Sequence, residues 1–137
     1  MSEIRAAKAF QNFSKTLKNL ERTLKLPEDN EDYRNSALLS FVLACEQCWK
    51  LLKWVLKEYI AIEARGPKPS IQEAYLQGWL SETDETWLDM ADDRNLLSHT
   101  YDESQALEIY RRVKNDYAVN MRKLHTLLKE KYPKLQG

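Results

Sequence analysis

The chain has 137 residues, 43% of them hydrophobic, with four tryptophans and seven tyrosines; this is the length of one domain, and enough apolar mass to close a core without metals or disulfides. Twenty-one basic and 21 acidic side chains leave no net charge, and Gly 3 and Pro 4 are few for the length, as long helices with short connections require. Arg5, Lys8, Lys15 and Lys18 interrupt the apolar positions of the N-terminus, which argues against a signal peptide or membrane span and for a soluble, cytoplasmic protein.

Residues 3–25 repeat apolar groups at Ile4, Ala7, Phe10, Phe13/Ser14, Leu17, Leu20 and Leu24, one face of a helix that Pro27 ends. Asn30 is placed to cap a second helix to about Ile62, with Ala37, Phe41, Ala44/Cys45, Cys48/Trp49, Leu52, Leu56 and Tyr59/Ile60 inward. Cys45 and Cys48 form a C-x-x-C inside that periodicity. The only other soft ligands, His99 and His125, lie at no ligand spacing from them, so buried thiols are expected rather than a zinc or redox site.

Gly66-Pro67-Lys68-Pro69 breaks the chain, and Ser70 with Glu73 reads as a capping box for a short helix to about Gly78. A helix over roughly 82–98 puts Trp87, Met90/Ala91, Arg94 and Leu97 on one stripe. Asp102, with Gln105 three residues on, caps a last helix through Leu107, Tyr110, Val113, Tyr117, Met121, Leu124 and Leu128, which stops before Pro133. The sum is an all-α protein: an up-and-down four-helix bundle with one extra short helix, a single domain over 1–137. Trp49 and Trp87 fall on core stripes, Trp54 and Trp79 are left as interface candidates, and His125 is expected at the core edge or partly exposed.

Charge is segregated along this order. Residues 1–26 carry six basic and two acidic side chains and residues 104–137 eight and three, while residues 81–103 hold eight acidic groups against Arg94 alone. Antiparallel helices of opposite sign attract one another, and such segregation also steers charged partners.

The segment Arg94-Asn95-Leu96-Leu97-Ser98-His99-Thr100-Tyr101 gathers the groups with most chemistry in them. A guanidinium holds a phosphate bidentately, an imidazole moves protons near neutral pH, and a phenol hydrogen-bonds or accepts a transferred group. In a regular helix five residues turn the chain by about 500°, so Arg94 and His99 stand roughly 140° apart. Either the helix loosens at Ser98, or the groups converge from two chains about a two-fold axis. Two imidazoles and two arginines in one cleft would cleave RNA without a metal: a base takes the 2′-hydroxyl proton, Arg94 stabilises the phosphoryl charge, and an acid protonates the leaving 5′-oxygen. The plainer alternative is an Arg94 in a buried ion pair and a His99 favoured by the helix dipole.

Trp87-Leu88-Asp89-Met90 followed by Arg94 to Glu103, together with Phe41 to Lys50, resembles the HEPN superfamily and within it the nucleotidyltransferase substrate-binding proteins. The resemblance spans nearly the whole chain, and its specific part is the R-x4-H-x-Y string. It implies a helical bundle that forms a homodimer and pairs with a separate minimal nucleotidyltransferase as the toxin half of a toxin–antitoxin module. It further implies a metal-independent, cofactor-free ribonuclease site at Arg94 and His99, with Asp93, Asn95, Ser98 and Glu46 in support and RNA as substrate. Tyr101 would be the residue the partner adenylylates to silence the nuclease. The same family carries a second implication, a non-catalytic subunit that presents substrate to its nucleotidyltransferase.

Overall fold

The computed structural model describes residues 4–80, 84–99 and 102–137, all helices and short connections with no strand among them. The elements are α1 (Ile4–Leu24), α2 (Glu31–Val55) running into a π turn (Leu56–Ile60), α3 (Pro67–Leu76), α4 (Asp84–His99), α5 (Glu103–Arg112), a second π turn (Val113–Tyr117), α6 (Ala118–Lys131) and a 3-10 turn (Pro133–Gln136). Backbone dihedrals stay helical from α5 through the π turn into α6, so these three form one long rod. With α1, α2 and α4 it makes the expected up-and-down bundle, and α3 is the extra short helix.

Sequence chemistry accounts for the boundaries. The Asn30 side chain accepts from the Tyr33 amide at 3.1 Å and starts α2; Asp102 accepts from the Ser104 and Gln105 amides at 2.9 and 3.3 Å and starts α5. Ala61, left-handed at φ 61, ends the first π turn, and the Ile62 amide closes back on Leu56 O at 3.0 Å. That turn also carries Glu58, whose carboxylate accepts from the Ala6 amide at 2.9 Å and satisfies a free donor in the first turn of α1.

Two expectations about helix starts and faces need correction. Ser70 does not cap α3: the helix begins three residues earlier, with Gly66 at the N-cap and Pro67 at the first position, and the Ser70 hydroxyl is buried and donates back to Gly66 O at 2.8 Å. Proline at the first helical position costs no hydrogen bond, so Gly66-Pro67 opens a helix there instead of delaying it. On α1, Ile4 is 71% exposed and Ala7 half-buried, while Ala6 and Ala9 turn inward.

The core runs between α1 and α2, with Phe10, Phe13, Leu17 and Leu20 against Ala37, Phe41, Cys48 and Leu52. The last rod closes it, Tyr117 stacking on Phe41 with ring centroids 5.7 Å apart. Trp87 is fully buried as expected; Trp79, at 2% exposure, is core and not an interface residue. Cys45 and Cys48 are free and buried. Burial pushes both thiols up, most simply at Cys48; at Cys45 the neighbouring Cys48 adds to the rise and the Arg94 charge opposes it.

Candidate functional site

The helix that carries the candidate motif is regular. Residues Asp84–His99 form an unbroken α-helix, and the Ser98 hydroxyl reaches back to Arg94 O at 3.4 Å, as a side chain within a continuous turn does. The helix therefore does not loosen at Ser98, and Arg94 and His99 keep their separation of roughly 140° around the axis.

Their surroundings differ accordingly. Arg94 is half-buried, donates to Ser98 Oγ at 3.2 Å, and has no carboxylate partner among the described residues. It opens onto a cavity of about 620 Å3 that lies between α2, the start of α3 and α4, where Glu46, Trp49, Lys50, Arg65, Lys68 and Asn95 also stand. Two of these cations are spoken for: Lys50 pairs with Glu46 at 3.3 Å, and Lys68 with Asp92 at 2.8 Å. Trp49 meets the buried Trp87 edge-on, 6.4 Å between centroids, which holds its ring at the cavity wall. His99 is exposed at the end of α4 and does not line the cavity. Tyr101 lies outside the described residues.

Asp93 takes the buried ion pair that the sequence allowed for Arg94. Only 6% exposed, it receives Arg112 bidentately, Nε at 2.7 Å and Nη2 at 3.0 Å, and the Tyr117 hydroxyl at 2.5 Å. Burial pushes the Tyr117 phenol up, and donation to the Asp93 carboxylate adds to the rise. Arg112 and Tyr117 are five residues apart, the same spacing as Arg94 and His99. Here the π turn intervenes; its i→i+5 closure brings the two side chains to one side of the rod, where both meet α4. The network thus fixes the rotation of α4 and with it the direction of Arg94.

A second polar cluster joins α1 to α6. His125 is buried at 8% exposure, stacked on Phe10 with centroids 4.5 Å apart, and bonded to Ser14 Oγ at 2.7 Å. Because the Ser14 hydroxyl already donates to Phe10 O at 2.7 Å, the His125 Nε2–H is the donor to Ser14. Nδ1 is then free to accept from Arg122 Nη1 at 3.3 Å, and that guanidinium also holds Glu21. Burial, with the Arg122 charge in support, lowers the imidazole to about 4.

Residues 8–130 match the sequence family described as nucleotidyltransferase substrate binding protein like. The chain belongs to that family. A crystal structure of a protein from Thermus thermophilus is 34% identical, superposes with a TM-score of 0.79, and aligns over 85% of this chain and 98% of its own. The fold is that of HEPN toxins. The toxin–antitoxin MntA-HpeT mutant superposes at TM-score 0.73 and 12% identity, over 91% of this chain and 97% of that one. The tri-AMPylated Shewanella oneidensis HEPN toxin in complex with MNT antitoxin does so at 0.73 and 13%, over 93% and 98%. No curated protein matches the chain.

In this member of the family, the residues expected to act together divide into three places. Arg94, Asn95 and Glu46 share the cavity; Ser98 and His99 lie further along α4; Asp93 faces the last rod. Sequence reasoning did not single out Lys50, Arg65 and Lys68 as cavity residues. Gly66-Pro67-Lys68-Pro69 was legible as a corner, but not as one whose cations would face α4. Arg112 and Tyr117 were hidden for another reason, since only a π turn brings them together.

Proposed function

We propose that this chain is the HEPN-type partner of a separate minimal nucleotidyltransferase, and that two copies of it form a metal-independent ribonuclease, Arg94 of one copy acting with His99 of the other. The observation that carries the reading is the regularity of α4. One chain keeps Arg94, with no carboxylate partner among the described residues, at the cavity and an exposed His99 outside it, so joint action requires a second chain. The family description and the fold shared with toxins seen in complex with MNT antitoxin support the nucleotidyltransferase as partner.

In such a site the imidazole of one copy removes the 2′-hydroxyl proton and the freed oxygen attacks the adjacent phosphorus. Arg94 stabilises the charge on the phosphoryl oxygens, and the second imidazole, protonated, gives its proton to the departing 5′-oxygen. The products are a 2′,3′-cyclic phosphate and a 5′-hydroxyl, and DNA, lacking the nucleophile, is spared. Control would fall on Tyr101, two residues beyond His99. Its oxygen attacks the α-phosphorus of ATP on the nucleotidyltransferase, the phenolic proton leaves to a base, and pyrophosphate departs. The tyrosyl-AMP would stand beside a cleft meant for phosphate and occupy it.

The test is RNA cleavage in EDTA. Arg94→Ala and His99→Ala are each expected to lose at least about 100-fold in rate, the low end of general acid–base contributions. When wild type and His99→Ala are unfolded and refolded together in equal amounts, half the dimers are mixed, and each mixed dimer holds one imidazole where the cleft needs two. Activity should fall to roughly a quarter of that of the same total amount of wild type, the share of wild-type dimers, and not to a half. Cleavage by wild type that His99→Ala leaves untouched, or a mixture that keeps half the activity, overturns the composite site.

A second reading, a non-catalytic subunit that presents substrate to the nucleotidyltransferase, draws on the cavity itself, which is complete within one chain. Incubating both proteins with labelled ATP separates the two. Label on Tyr101 supports the first reading, and label on a small molecule the second.

A further inference from the structure

We propose that the groove between α1 and α6 docks an acidic amphipathic helix of a protein partner, with the apolar stripe of that helix on Val119 and its carboxylates on the lysines of both rims. This goes beyond the reading above and needs neither His99, Tyr101 nor cleavage.

The charge of the two walls sets the partner's chemistry. Residues 1–26 carry a net charge of +4, six basic side chains against two acidic, and residues 104–137 one of +5, eight against three. The fold sets these like-charged segments side by side and antiparallel, Ser14 bonded to His125 and Glu21 to Arg122. Attraction between helices of opposite sign, which ties α4 to the last rod, does not account for this pairing. On α1 the excess is ordered. Lys8, Lys15, Lys18, Arg22 and Lys25 recur at steps of seven, three, four and three residues, within about 100° of one another around the axis. All five are exposed, and Glu21, the one acid of α1, turns to Arg122 instead of joining them. Such a ridge attracts an anionic surface.

The groove beside this ridge has an apolar floor. A cavity of about 540 Å3 is floored by Leu24, Ala118 and Val119. Leu24 and Ala118 are buried, but Val119 is 45% exposed, on a helix whose other large apolar side chains are buried or half-buried. Four cations border it. Glu28 holds Lys114 at 3.2 Å and Glu21 holds Arg122 at 2.9 Å. Lys25 and Lys123, from opposite walls, are exposed and have no carboxylate partner among the described residues.

Two antiparallel helices leave between them a groove that a third helix fills by ridge packing. A helix with apolar groups at three- and four-residue steps would cover Val119, and acids beside that stripe would reach Lys25 on one rim and Lys123 on the other. Lys18, two turns before Lys25 on the same face of α1, lengthens the first rim. Nucleic acid is the poorer fit. The lining holds no aromatic ring on which a base could stack, and an exposed valine offers nothing to a phosphate.

The probe is a synthetic peptide of about 18 residues, five helical turns, with Leu at three- and four-residue steps and Glu beside them, titrated calorimetrically against the full chain. One control peptide has the same composition in scrambled order, and another has Lys in place of Glu. The acidic amphipathic peptide should bind at least about tenfold more tightly than either control, and less tightly as salt is raised. The double variant Lys25→Glu/Lys123→Glu removes no ion pair, so the melting temperature should hold while affinity for the peptide falls at least about tenfold. Val119→Ser keeps every charge and should weaken binding several-fold. A scrambled peptide that binds equally well, or a double variant that binds as wild type does, overturns the proposal. Single-stranded RNA that binds wild type and not the double variant, with no binding of the acidic peptide, gives the face to nucleic acid and overturns it too. The peptide comparison needs no variant and stands even if the double variant misfolds.

Discussion

At the scale of single residues, two buried polar clusters determine how the molecule responds to pH and to substitution. His125 has a folded value of about 4 against 6.5 when exposed, so the unfolded chain takes up the proton first. Its contribution to stability is complete above about pH 6.5, falls as pH drops through that window, and is lost at about pH 4. A shift of this size corresponds to up to about 3 kcal/mol. Thermal melts at pH 7 and pH 4.5 should show a larger drop for wild type than for His125→Gln, which has no proton to gain. Asp93 behaves differently. Asp93→Ala leaves Arg112 and Tyr117 without their acceptor and should cost about 3 kcal/mol, the low end for breaking a buried pair because Arg112 is 42% exposed. Tyr117→Phe keeps the ion pair and should cost about 1–2 kcal/mol in denaturant melts. The sequence revealed that Tyr117 is core, but the buried ion pair it allowed for Arg94 belongs to Asp93 and Arg112 instead. That pairing was hidden because Arg112 lies 19 positions from Asp93 on another helix.

At the scale of elements, local chemistry was legible wherever a side chain acts on its own backbone. Asn30 and Asp102 cap the helices they were expected to cap, and apolar periodicity located α1, α2, α4 and the last rod to within a few residues. The failures are places where backbone geometry departs from the 3.6-residue period. Neither π turn leaves a composition signal, and Gly66-Pro67 reads equally as an end and as a beginning. The second π turn can be tested directly. Deleting the exposed Asn115 should restore an α-helical turn, swing Arg112 or Tyr117 away from Asp93, and loosen α4. Hydrogen exchange in α4 should rise more than in α1. Ala61 offers the opposite test. Its left-handed backbone suits glycine, and Ala61→Gly should stabilise by about 0.5–1 kcal/mol in equilibrium unfolding.

At the scale of the whole molecule, segregated charge meets in the bundle. The acidic α4 is tied to the basic last rod by Arg112 and to the corner of α3 by Lys68. Part of the negative run in the sequence is thereby answered inside the fold, and Arg65 and Arg94, which have no carboxylate partner among the described residues, remain available to an anion. If RNA is the substrate, cleavage should weaken as salt rises from 50 to 200 mM, and Arg65→Glu should lower the salt dependence along with the affinity. The fold class was legible at this scale from few glycines, few prolines and regular apolar stripes. The cavity was not, because its walls come from three segments whose approach only the packed bundle defines.

The second π turn has a consequence for comparing this chain with its relatives. A π turn holds one residue more than the α turn it replaces, so the rod from Glu103 to Lys131 is an α-helix carrying a single insertion. Residues before and after it are out of phase by about 100°, the rotation of one α-helical residue. A gap-free alignment to a relative with a plain helix here would set inward positions of one half against outward positions of the other. Placing the one-residue gap between Val113 and Tyr117 restores the register, and a relative that lacks the extra residue should also lack the Asp93 pairing that it makes possible.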